Sequence, residues 1–266
     1  MTQAGLLPVF EARGLGVQRA GRALLSDLSF ALHRAQFTVL IGPNGAGKSS
    51  LIRAMAGEWP AQGTLRLFGQ ARAHWPRRTL AQRVAVMPQQ STLSFDFTVR
   101  EVVAMGRLPH RHLRDAENAA HVQAVLDELK LTSFADRPFT TLSGGERQRV
   151  QFARALAQIA GREEAALLIL DEPTAALDLA QQAAVLGLAR RRSALGTCVL
   201  AVVHDLNLAA RYADRVLMMQ GGRLHADGGV ASTYQAATLS AAFGIKVDVE
   251  HTVCDGAPMV IARRMA

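Results

Sequence analysis

Residues 37–50 read FTVLIGPNGAGKSS, and this stretch decides the fold of the chain. Its first five residues are apolar except for Thr38, which is typical of a strand buried on both faces. The next nine contain three glycines, one proline and no bulky apolar side chain. Glycines let backbone N–H groups turn toward a ligand, and the helix that follows Ser49 adds partial positive charge at its start. The stretch therefore predicts a strand, a polyphosphate-binding loop and a helix.

The loop matches the spacing G-x-x-x-x-G-K-[ST], with Gly42, Gly47, Lys48 and Ser49 at the fixed positions. In such a loop the N–H groups surround the phosphates, the lysine reaches the β and γ phosphates, and the hydroxyl binds Mg²⁺. The loop therefore predicts a nucleotide site with a magnesium ion, and it fits ATP and GTP alike.

The composition excludes several classes of protein. The chain has 266 residues, of which 49% are hydrophobic, enough for one large domain or two small ones. No run approaches the roughly 18 to 20 apolar residues that a membrane span needs. The first residues, MTQAGLLPVFEARG, lack the basic start and the long apolar segment of a secretory signal. We therefore expect a protein that stays inside the cell.

The cysteines and the net charge say less about partners. Cys198 and Cys254 are far apart and form no C-x-x-C spacing, so we expect neither a disulfide framework nor a zinc site. The net charge of +8 comes almost wholly from arginine, and it suits nucleic acid or an anionic membrane surface. The arginines are scattered and form no long basic run, so the charge alone decides for neither partner.

The apolar pattern predicts an α/β protein with a helical insertion. Strand-like segments flank the loop and its helix between residues 9 and 67, and another short strand covers 84–90. Helical periodicity then runs from about 98 to 160. Strands and helices alternate from 165 to 220, which is typical of a doubly wound parallel sheet with ligand groups at the C-terminal strand ends.

Three polar side chains lie at such strand ends. Asp171 and Glu172 follow the apolar run LLIL. Because adjacent residues on a strand point in different directions, Asp171 can bind the metal while Glu172 faces the γ-phosphate and deprotonates water. His204 ends the next apolar strand and is expected near the same phosphate. With the loop, these side chains predict hydrolysis of a nucleotide.

A further motif indicates a family. LSGGERQRV at 142–150 resembles the signature loop of ABC ATPases. GPNGAGKSS, Gln89, LLILDEP, Asp178 and His204 occur in the order and at the distances usual for that family. The resemblance covers about residues 10–230.

The resemblance implies the P-loop NTPase ABC fold, an α/β architecture with a parallel core sheet and an N-terminal antiparallel β subdomain. An α-helical subdomain would be inserted at about 91–160. The whole chain, 1–266, would form a single ABC nucleotide-binding domain with a C-terminal extension at about 230–266.

The resemblance also implies roles for individual residues. Glu172 would be the general base, His204 would contact the γ-phosphate, and Gln89 would complete the catalytic set. Mg²⁺ would be bound by Ser49, Gln89 and Asp171. ATP would be bound along the whole loop, by Gly42, Pro43, Asn44, Gly45, Ala46, Gly47, Lys48, Ser49 and Ser50.

In this family two nucleotide domains pair head to tail, and each ATP lies between one phosphate loop and the signature loop of the other domain. The resemblance thus implies a homodimer. Ser143, Gly144, Gly145 and Glu146 would act on the partner's ATP, because a helix that opens at this motif offers an anion site. Asp178 would lie across the same interface.

Arg19 departs from the family pattern. It takes the place where an aromatic residue commonly stacks on adenine. A guanidinium can also stack on a base, so Arg19 is a candidate nucleotide-binding residue, and its alternative is an exposed residue of a hairpin.

The chain has one nucleotide domain, no long coiled-coil insertion and no fused membrane span, which indicates a separate ATPase subunit of a bacterial importer. Its expected partners are a second copy, two copies of a transmembrane permease subunit and, indirectly, a periplasmic substrate-binding protein. The chain would lie peripherally at the cytoplasmic face of the inner membrane and bind no nucleic acid. Coupling segments of the permease are expected near Gln89 to Gly106.

Short segments indicate the cargo. TVREVVAMGRLPH resembles the importer subfamily for iron siderophores, haem and cobalamin, and DEPTAALDLAQQ with FGIKVDVEHTVCDGAPMVI is most similar to haem (hemin) importer ATPases. Haem is therefore the expected cargo, with ferric siderophores or cobalamin as alternatives and a nucleic-acid-associated ABC ATPase as the rival from another class. His110, His112 and His121 are expected on a solvated or permease-facing surface, without haem or metal.

Overall fold

The computed structural model describes residues 7–89, 96–175, 177–253 and 256–263. The elements of the first half are, in chain order, β1 (Phe10–Arg19), β2 (Arg22–Leu32), β3 (Phe37–Ile41), α1 (Lys48–Ala56), β4 (Gln62–Leu67), β5 (Gln70–Ala71), α2 (Arg77–Ala81), β6 (Val84–Met87), α3 (Val99–Met105) and α4 (Asp115–Glu128). Those of the second half are α5 (Gly144–Ile159), β7 (Leu167–Leu170), α6 (Leu179–Ala194), β8 (Cys198–Val202), α7 (Leu206–Tyr212), β9 (Arg215–Gln220), β10 (Arg223–Gly229), α8 (Val230–Thr233), α9 (Ala236–Phe243), β11 (Val247–His251) and β12 (Pro258–Ala262). Two features of the sequence, Cys254 and residues 90–95 of the expected coupling region, lie outside the described residues.

The central sheet has six strands in the order β10-β9-β3-β8-β7-β6. Strand β3 pairs in parallel with β8 and β9, and β7 pairs in parallel with β6 and β8, while β10 is antiparallel to β9. Every residue of β3 is buried, with Phe37, Val39 and Ile41 in one hydrophobic core and Leu40 in the other. Two-sided burial explains why the strand sequence is apolar except for Thr38. The predicted parallel core sheet is confirmed.

A second sheet covers one face of the molecule. Its four strands are antiparallel and run in the order β2-β1-β4-β5. Their inward side chains, among them Phe10, Leu15 and Leu28, form a core with Leu51 and Met55 of α1. This sheet is the predicted N-terminal antiparallel β structure, and it packs over the helix that follows the phosphate loop.

The helical insertion consists mainly of α3, α4 and α5. Helices α3 and α5 each begin with a capping box, formed by Thr98 with Glu101 and by Ser143 with Glu146. Such reciprocal bonds satisfy N–H groups that a helix start leaves free. The apolar face of α5, with Val150 and Phe152, is buried in the same core as α3 and α4. The predicted helical periodicity of this region is confirmed.

The C-terminal segment packs against α7. Strands β11 and β12 form an antiparallel hairpin. The Val260 N–H donates to Asn207 Oδ1 at 2.7 Å, and the Tyr234 hydroxyl donates to the Leu206 carbonyl at 2.8 Å. Both acceptors lie in the first turn of α7, two or three residues after His204, so the segment is anchored close to a candidate catalytic residue. Across the described ranges, no helix has the length and apolarity needed to cross a bilayer.

One expectation about the histidines is wrong. His112 is exposed and His121 is half-buried, but His110 is only 2% exposed. Its Nε2 lies 2.8 Å from the Gln158 carbonyl oxygen. The chain after α3 runs close against α5, where a Cβ on Gly106 would lie 2.3 Å from the Arg154 carbonyl oxygen. This close approach buries His110 inside the helical region, and burial lowers its pKa.

Candidate nucleotide-binding site

The phosphate loop connects β3 to α1 through a backbone that only glycine can adopt. Gly42 has φ +149°, and a Cβ there would lie 2.3 Å from the Met219 carbonyl oxygen. Gly47 has φ +100° and caps α1 without a side-chain hydrogen bond. The first turn of α1 contains no acidic residue, so its free N–H groups and partial positive charge face the loop. The loop is thereby built to receive an anion.

Lys48 points back into this loop. It is 7% exposed, and its Nζ donates to the carbonyls of Gly42 at 2.7 Å and Pro43 at 3.0 Å. Burial lowers the pKa of the ammonium, while the carboxylates of Glu172 and Asp171 oppose that shift. These hydrogen bonds hold the cation beside the loop N–H groups, where a polyphosphate would meet both.

A cavity of about 350 Å³ opens over the loop. It brings together residues that lie up to 182 positions apart, from Arg22 to His204, and therefore joins the loop to two strand ends. The lining residues are Arg22, Leu24, Asn44, Gly45, Ala46, Gly47, Lys48, Ser49, Ser50, Glu172 and His204. Most of the predicted nucleotide-binding residues thus share one cavity with the predicted general base.

Glu172 is held by two of the predicted catalytic residues. The Gln89 amide Nε2 donates to Oε2 of Glu172 at 2.6 Å, and His204 Nε2 lies 2.6 Å from Oε1. The Glu172 side chain is only 14% exposed. Both carboxylate oxygens therefore have partners that fix their direction at the edge of the cavity.

Asp171 lies at the end of β7, beside Glu172. Its Oδ1 is buried and has no hydrogen-bond partner among the described residues. Burial, and next the neighbouring Glu172 carboxylate, raise the pKa of Asp171 to about 6, although Arg53, His204 and Lys48 act in the opposite direction. A buried, unpaired carboxylate oxygen near a second carboxylate fits a divalent cation. With the hydroxyl of Ser49 and the amide of Gln89, the donor set is the all-oxygen kind that Mg²⁺ prefers.

The signature residues lie outside this cavity, at the start of α5. Ser143 Oγ accepts from the Glu146 N–H at 3.3 Å, and the Glu146 carboxylate accepts from the Ser143 N–H at 2.8 Å. That backbone hydrogen bond lowers the pKa of Glu146. In the part of the chain that the structure describes, a Cβ built on Gly144 would meet no atom within 4 Å, so this end of the helix is open there.

The loop before α6 packs directly against the signature helix. A Cβ on Gly145 would lie 2.7 Å from Gln181 Oε1 and 3.1 Å from Leu177 Cδ2. Asp178 caps α6 by accepting from the Gln181 N–H at 2.8 Å. Gly145 thus packs against the loop that leads to Asp178, and Gly144, Gly145 and Asp178 are not among the residues that line the cavity over the phosphate loop.

The structure places Arg19 away from the cavity. Its guanidinium lies 4.6 Å from the ring centroid of Trp59, and Arg53 stacks on the same ring at 4.9 Å. Arg22, three residues later in the β1–β2 hairpin, lines the cavity together with Leu24. Sequence reasoning missed Arg22, because the spacing of residues along a hairpin does not show that Arg19 stacks on Trp59.

A second residue that sequence reasoning missed is Gln148. It lies within the signature motif, and its Nε2 donates to the backbone carbonyl of Glu172 at 2.8 Å. Its place in the signature motif was the sequence signal that could have identified Gln148. Its contact with Glu172 joins residues 24 positions apart, however, and only the fold shows it.

Known proteins resemble the chain over nearly its whole length. The hemin import ATP-binding protein HmuV of Plesiomonas shigelloides is 46% identical over 89% of this chain and 95% of its own. The protein of the same name from Rhodococcus jostii (strain RHA1) is 45% identical over 95% of this chain and 86% of its own. Among solved structures, a metal-chelate type ABC transporter in an inward-facing conformation superposes with a TM-score of 0.83 at 26% identity, covering 97% of this chain and 98% of that one.

The family model for ABC transporters matches residues 25–175. That range begins before the phosphate loop and ends after Glu172, so it contains the cavity's loop, the signature helix and both strand-end carboxylates. On this match and on the identity to its relatives, the chain belongs to the ABC transporter family.

Proposed function

We propose that this chain is the ATP-hydrolysing subunit of a bacterial ABC importer that energises uptake of hemin through a partner permease. The observation that carries the proposal is the meeting of Lys48, Glu172 and His204 in one cavity over the phosphate loop. Relatives that are 43% to 46% identical to the chain are named for hemin import, which supports hemin as the cargo.

The residues of the cavity have distinct parts in hydrolysis. The loop N–H groups and Lys48 bind the phosphates, and Arg22 contacts the nucleotide from the side of the β1–β2 hairpin. Glu172 accepts the proton of the attacking water, with Gln89 and His204 directing its two oxygens. His204 is 46% exposed at the cavity edge, which leaves it room to contact the γ-phosphate.

Ser49, Gln89 and Asp171 would hold Mg²⁺ with the nucleotide. When bound, the ion neutralises charge on the phosphate oxygens. The Oδ1 of Asp171 supports this assignment, since an ion would satisfy an oxygen for which the described residues provide no partner.

The working form in this proposal is a head-to-tail homodimer. A helix N-terminus with free N–H groups is an anion site. At the start of α5, the space beside Gly144 is not filled by any described residue. Leu179, beside Asp178, is 74% exposed. A second copy that places its ATP phosphates on Ser143, Gly144 and Gly145 would fill the open helix start and cover this leucine.

The permease would contact a cleft near the end of α1. The cleft has a volume of about 570 Å³ and lies between α1, α2 and β6. Its lining mixes apolar side chains such as Met55, Trp75 and Leu80 with the cations Arg72 and Arg77. Strand β6 leads directly to Gln89, which donates a hydrogen bond to the catalytic carboxylate. A coupling segment seated in this cleft, and along the stretch up to Gly106, would therefore act next to Gln89.

We place the subunit peripherally at the cytoplasmic face of the inner membrane. The net charge of +8 is compatible with an anionic membrane surface. A periplasmic substrate-binding protein would deliver hemin to the permease and would not touch this chain.

Growth on hemin tests the cargo and the need for hydrolysis together. A deletion strain of the source bacterium is supplied with hemin as the sole iron source and complemented with wild type, Glu172→Gln or Glu250→Gln. Glu250 is an exposed carboxylate of β11 and serves as the matched control. We expect wild type and Glu250→Gln to restore growth and Glu172→Gln to fail.

Parallel cultures with ferric siderophores or cobalamin examine the alternative cargos. Dependence on this chain for one of these nutrients, with none for hemin, would replace the cargo while keeping the ATPase role. Dependence on no nutrient, together with ATP hydrolysis stimulated by DNA, would favour the nucleic-acid-associated ATPase instead.

A further inference from the structure

The backbone of Glu172 is unusual for a residue with a side chain. Its φ is +55°, in the left-handed region, where the Cβ crowds the neighbouring carbonyl. Such strained residues persist only where surrounding contacts hold them. The neighbouring Asp171 stays in the sheet, because its N–H donates to the Met87 carbonyl at 2.9 Å. The chain therefore turns abruptly at the residue that carries the catalytic carboxylate.

Two donors hold the carbonyl of Glu172. The Ala175 N–H reaches it at 3.2 Å within the turn itself, and the Gln148 side chain reaches it at 2.8 Å from α5. Of these two donors, Gln148 is the one that lies outside the turn, on α5. Its amide thus fixes the backbone at Glu172 from outside the turn, while Gln89 and His204 fix the carboxylate.

The position of Gln148 on α5 also connects this contact to the signature residues. Ser143 caps the helix, and Gln148 lies five residues further on, a distance of about 7.5 Å along the helix axis. The same rigid helix end thereby presents Gly144 to the outside and Gln148 to the catalytic turn. A shift of the helix start would move the donor that holds Glu172.

We infer that Gln148 is a positioning residue for Glu172, which couples the placement of the signature helix to the catalytic carboxylate of the same chain. This inference rests on the proposed function, in which Glu172 is the general base and the signature residues act on the nucleotide of a second copy. Loss of the Gln148 amide releases the strained backbone, and the carboxylate no longer stays directed at the attacking water.

Gln158 provides a matched control on the same helix. Its Nε2 donates to the carbonyls of Ala81 at 2.8 Å and Val84 at 2.9 Å. Like Gln148, it is a half-buried glutamine that ties α5 to the core through backbone carbonyls. Its acceptors flank the start of β6, far along the helix from Glu172, so its loss tests helix docking without touching the catalytic turn.

The experiment compares steady-state ATP hydrolysis and thermal unfolding of the full chain as wild type, Gln148→Met, Gln148→Glu and Gln158→Met. Methionine keeps the length of glutamine without its donor, and glutamate keeps the shape but presents an acceptor. We expect kcat to fall about ten- to a hundredfold in both Gln148 variants, as for a displaced catalytic group, with the KM for ATP within about twofold of wild type because the phosphate loop is unaltered. Gln158→Met should lower Tm and leave kcat unchanged.

Two results would overturn the inference. Wild-type kcat in both Gln148 variants, with a loss in Tm like that of Gln158→Met, would make the contact an ordinary packing bond. An equal fall of kcat in Gln148→Met and Gln158→Met would make docking of the helix the cause. Glu172→Gln, assayed alongside, separates the two claims: if it loses hydrolysis while Gln148→Met keeps it, the proposed function stands and only this inference fails.

Discussion

Two arginines of the β1–β2 hairpin, Arg19 and Arg22, have different contacts in the structure. Arg19 stacks on Trp59, whose other neighbour is Arg53, whereas Arg22 lines the cavity over the phosphate loop. Stacking on an aromatic ring is favourable for a guanidinium. The structure therefore assigns Arg19 to the packing of the hairpin on the end of α1, and it leaves Arg22 free to meet a nucleotide.

Arg22→Ala should weaken ATP binding, whereas Arg19→Ala should not. The loss expected for Arg22 is about tenfold in Kd, the worth of one charge-assisted hydrogen bond at about 1.5 kcal/mol. Isothermal titration of the two purified variants with ATP measures the difference. Weaker binding in Arg19→Ala, with Arg22→Ala unchanged, would return the nucleotide contact to the position expected from the sequence.

His110 shows a residue whose environment makes it sensitive to pH. Burial lowers its pKa from the ordinary 6.5, and Arg107, Arg162 and His112 add to that effect, although the hydrogen bond to Gln158 opposes it. The unfolded chain therefore takes up a proton at a higher pH than the folded chain does. The stability that depends on neutral His110 is complete above pH 6.5 and is lost as the pH falls through that value toward the lowered pKa.

Urea unfolding between pH 8 and about 5 measures this dependence. Wild type should lose stability toward acid more steeply than His110→Gln, which cannot take up the proton. His225→Gln, at an exposed position of β10, is the control and should follow wild type. Equal pH slopes in wild type and His110→Gln would show that His110 takes up its proton as easily in the folded chain as in the unfolded one.

At the scale of elements, α5 connects three parts of the molecule. Its start carries the signature residues, its first turns contact Glu172 through Gln148, and its far end accepts His110 and donates to the start of β6. A helix of 16 residues is stiff over its length. Displacing α5 therefore moves the signature loop and the support of the catalytic carboxylate together.

Gly144→Ala separates folding from the function of this helix. A Cβ at Gly144 would meet no atom of the described residues within 4 Å, and alanine is the better helix former. We therefore expect an unchanged or slightly raised Tm. In the proposed dimer the added methyl would stand where the partner's phosphates bind, so ATP turnover should fall about tenfold or more, as it does on losing an oriented anion contact. Normal turnover in Gly144→Ala would argue against an interface at this helix start.

The elements could be predicted from the sequence more completely than the contacts between them. Strand β3 and the phosphate loop follow from apolar runs and glycines, because two-sided burial and left-handed backbone each demand particular residue types. The residues of the cavity that adjoin such runs, Lys48, Glu172 and His204, were identified in the same way. Gln148 and His110 depend on partners at positions 172 and 158, and Arg22 lines a cavity that forms only in the fold. No local pattern encodes these features.

At the scale of the whole molecule, the two sheets and the helical insertion surround the site on three sides. The antiparallel sheet supplies Arg22 and Leu24, the central sheet supplies the carboxylates and His204, and the helical part supplies Gln148. The signature residues Ser143, Gly144 and Gly145 are not among the residues that line this cavity. In the proposed head-to-tail dimer, the phosphate loop of one chain and the signature residues of the other would together form each ATP site.

The proposed dimer also explains why ATP would act as a switch. Each nucleotide would contribute phosphate charge to two helix starts, α1 of its own chain and α5 of the partner. Hydrolysis and loss of the γ-phosphate would remove the charge that the partner's helix binds. The permease contacts near the end of α1 and β6 would then follow the opening of the dimer.

The measurement that tests the central claim most directly is ATP turnover by the purified full chain as wild type and Glu172→Gln, with size-exclusion chromatography in ATP and Mg²⁺. Loss of a general base costs about a hundredfold or more in rate, so we predict that Glu172→Gln binds ATP like wild type, accumulates as a dimer and turns over at most about one hundredth as fast. The exposed Glu250→Gln variant should match wild type. Turnover at the wild-type rate in Glu172→Gln would contradict the assignment of the general base and, with it, the mechanism built on this site.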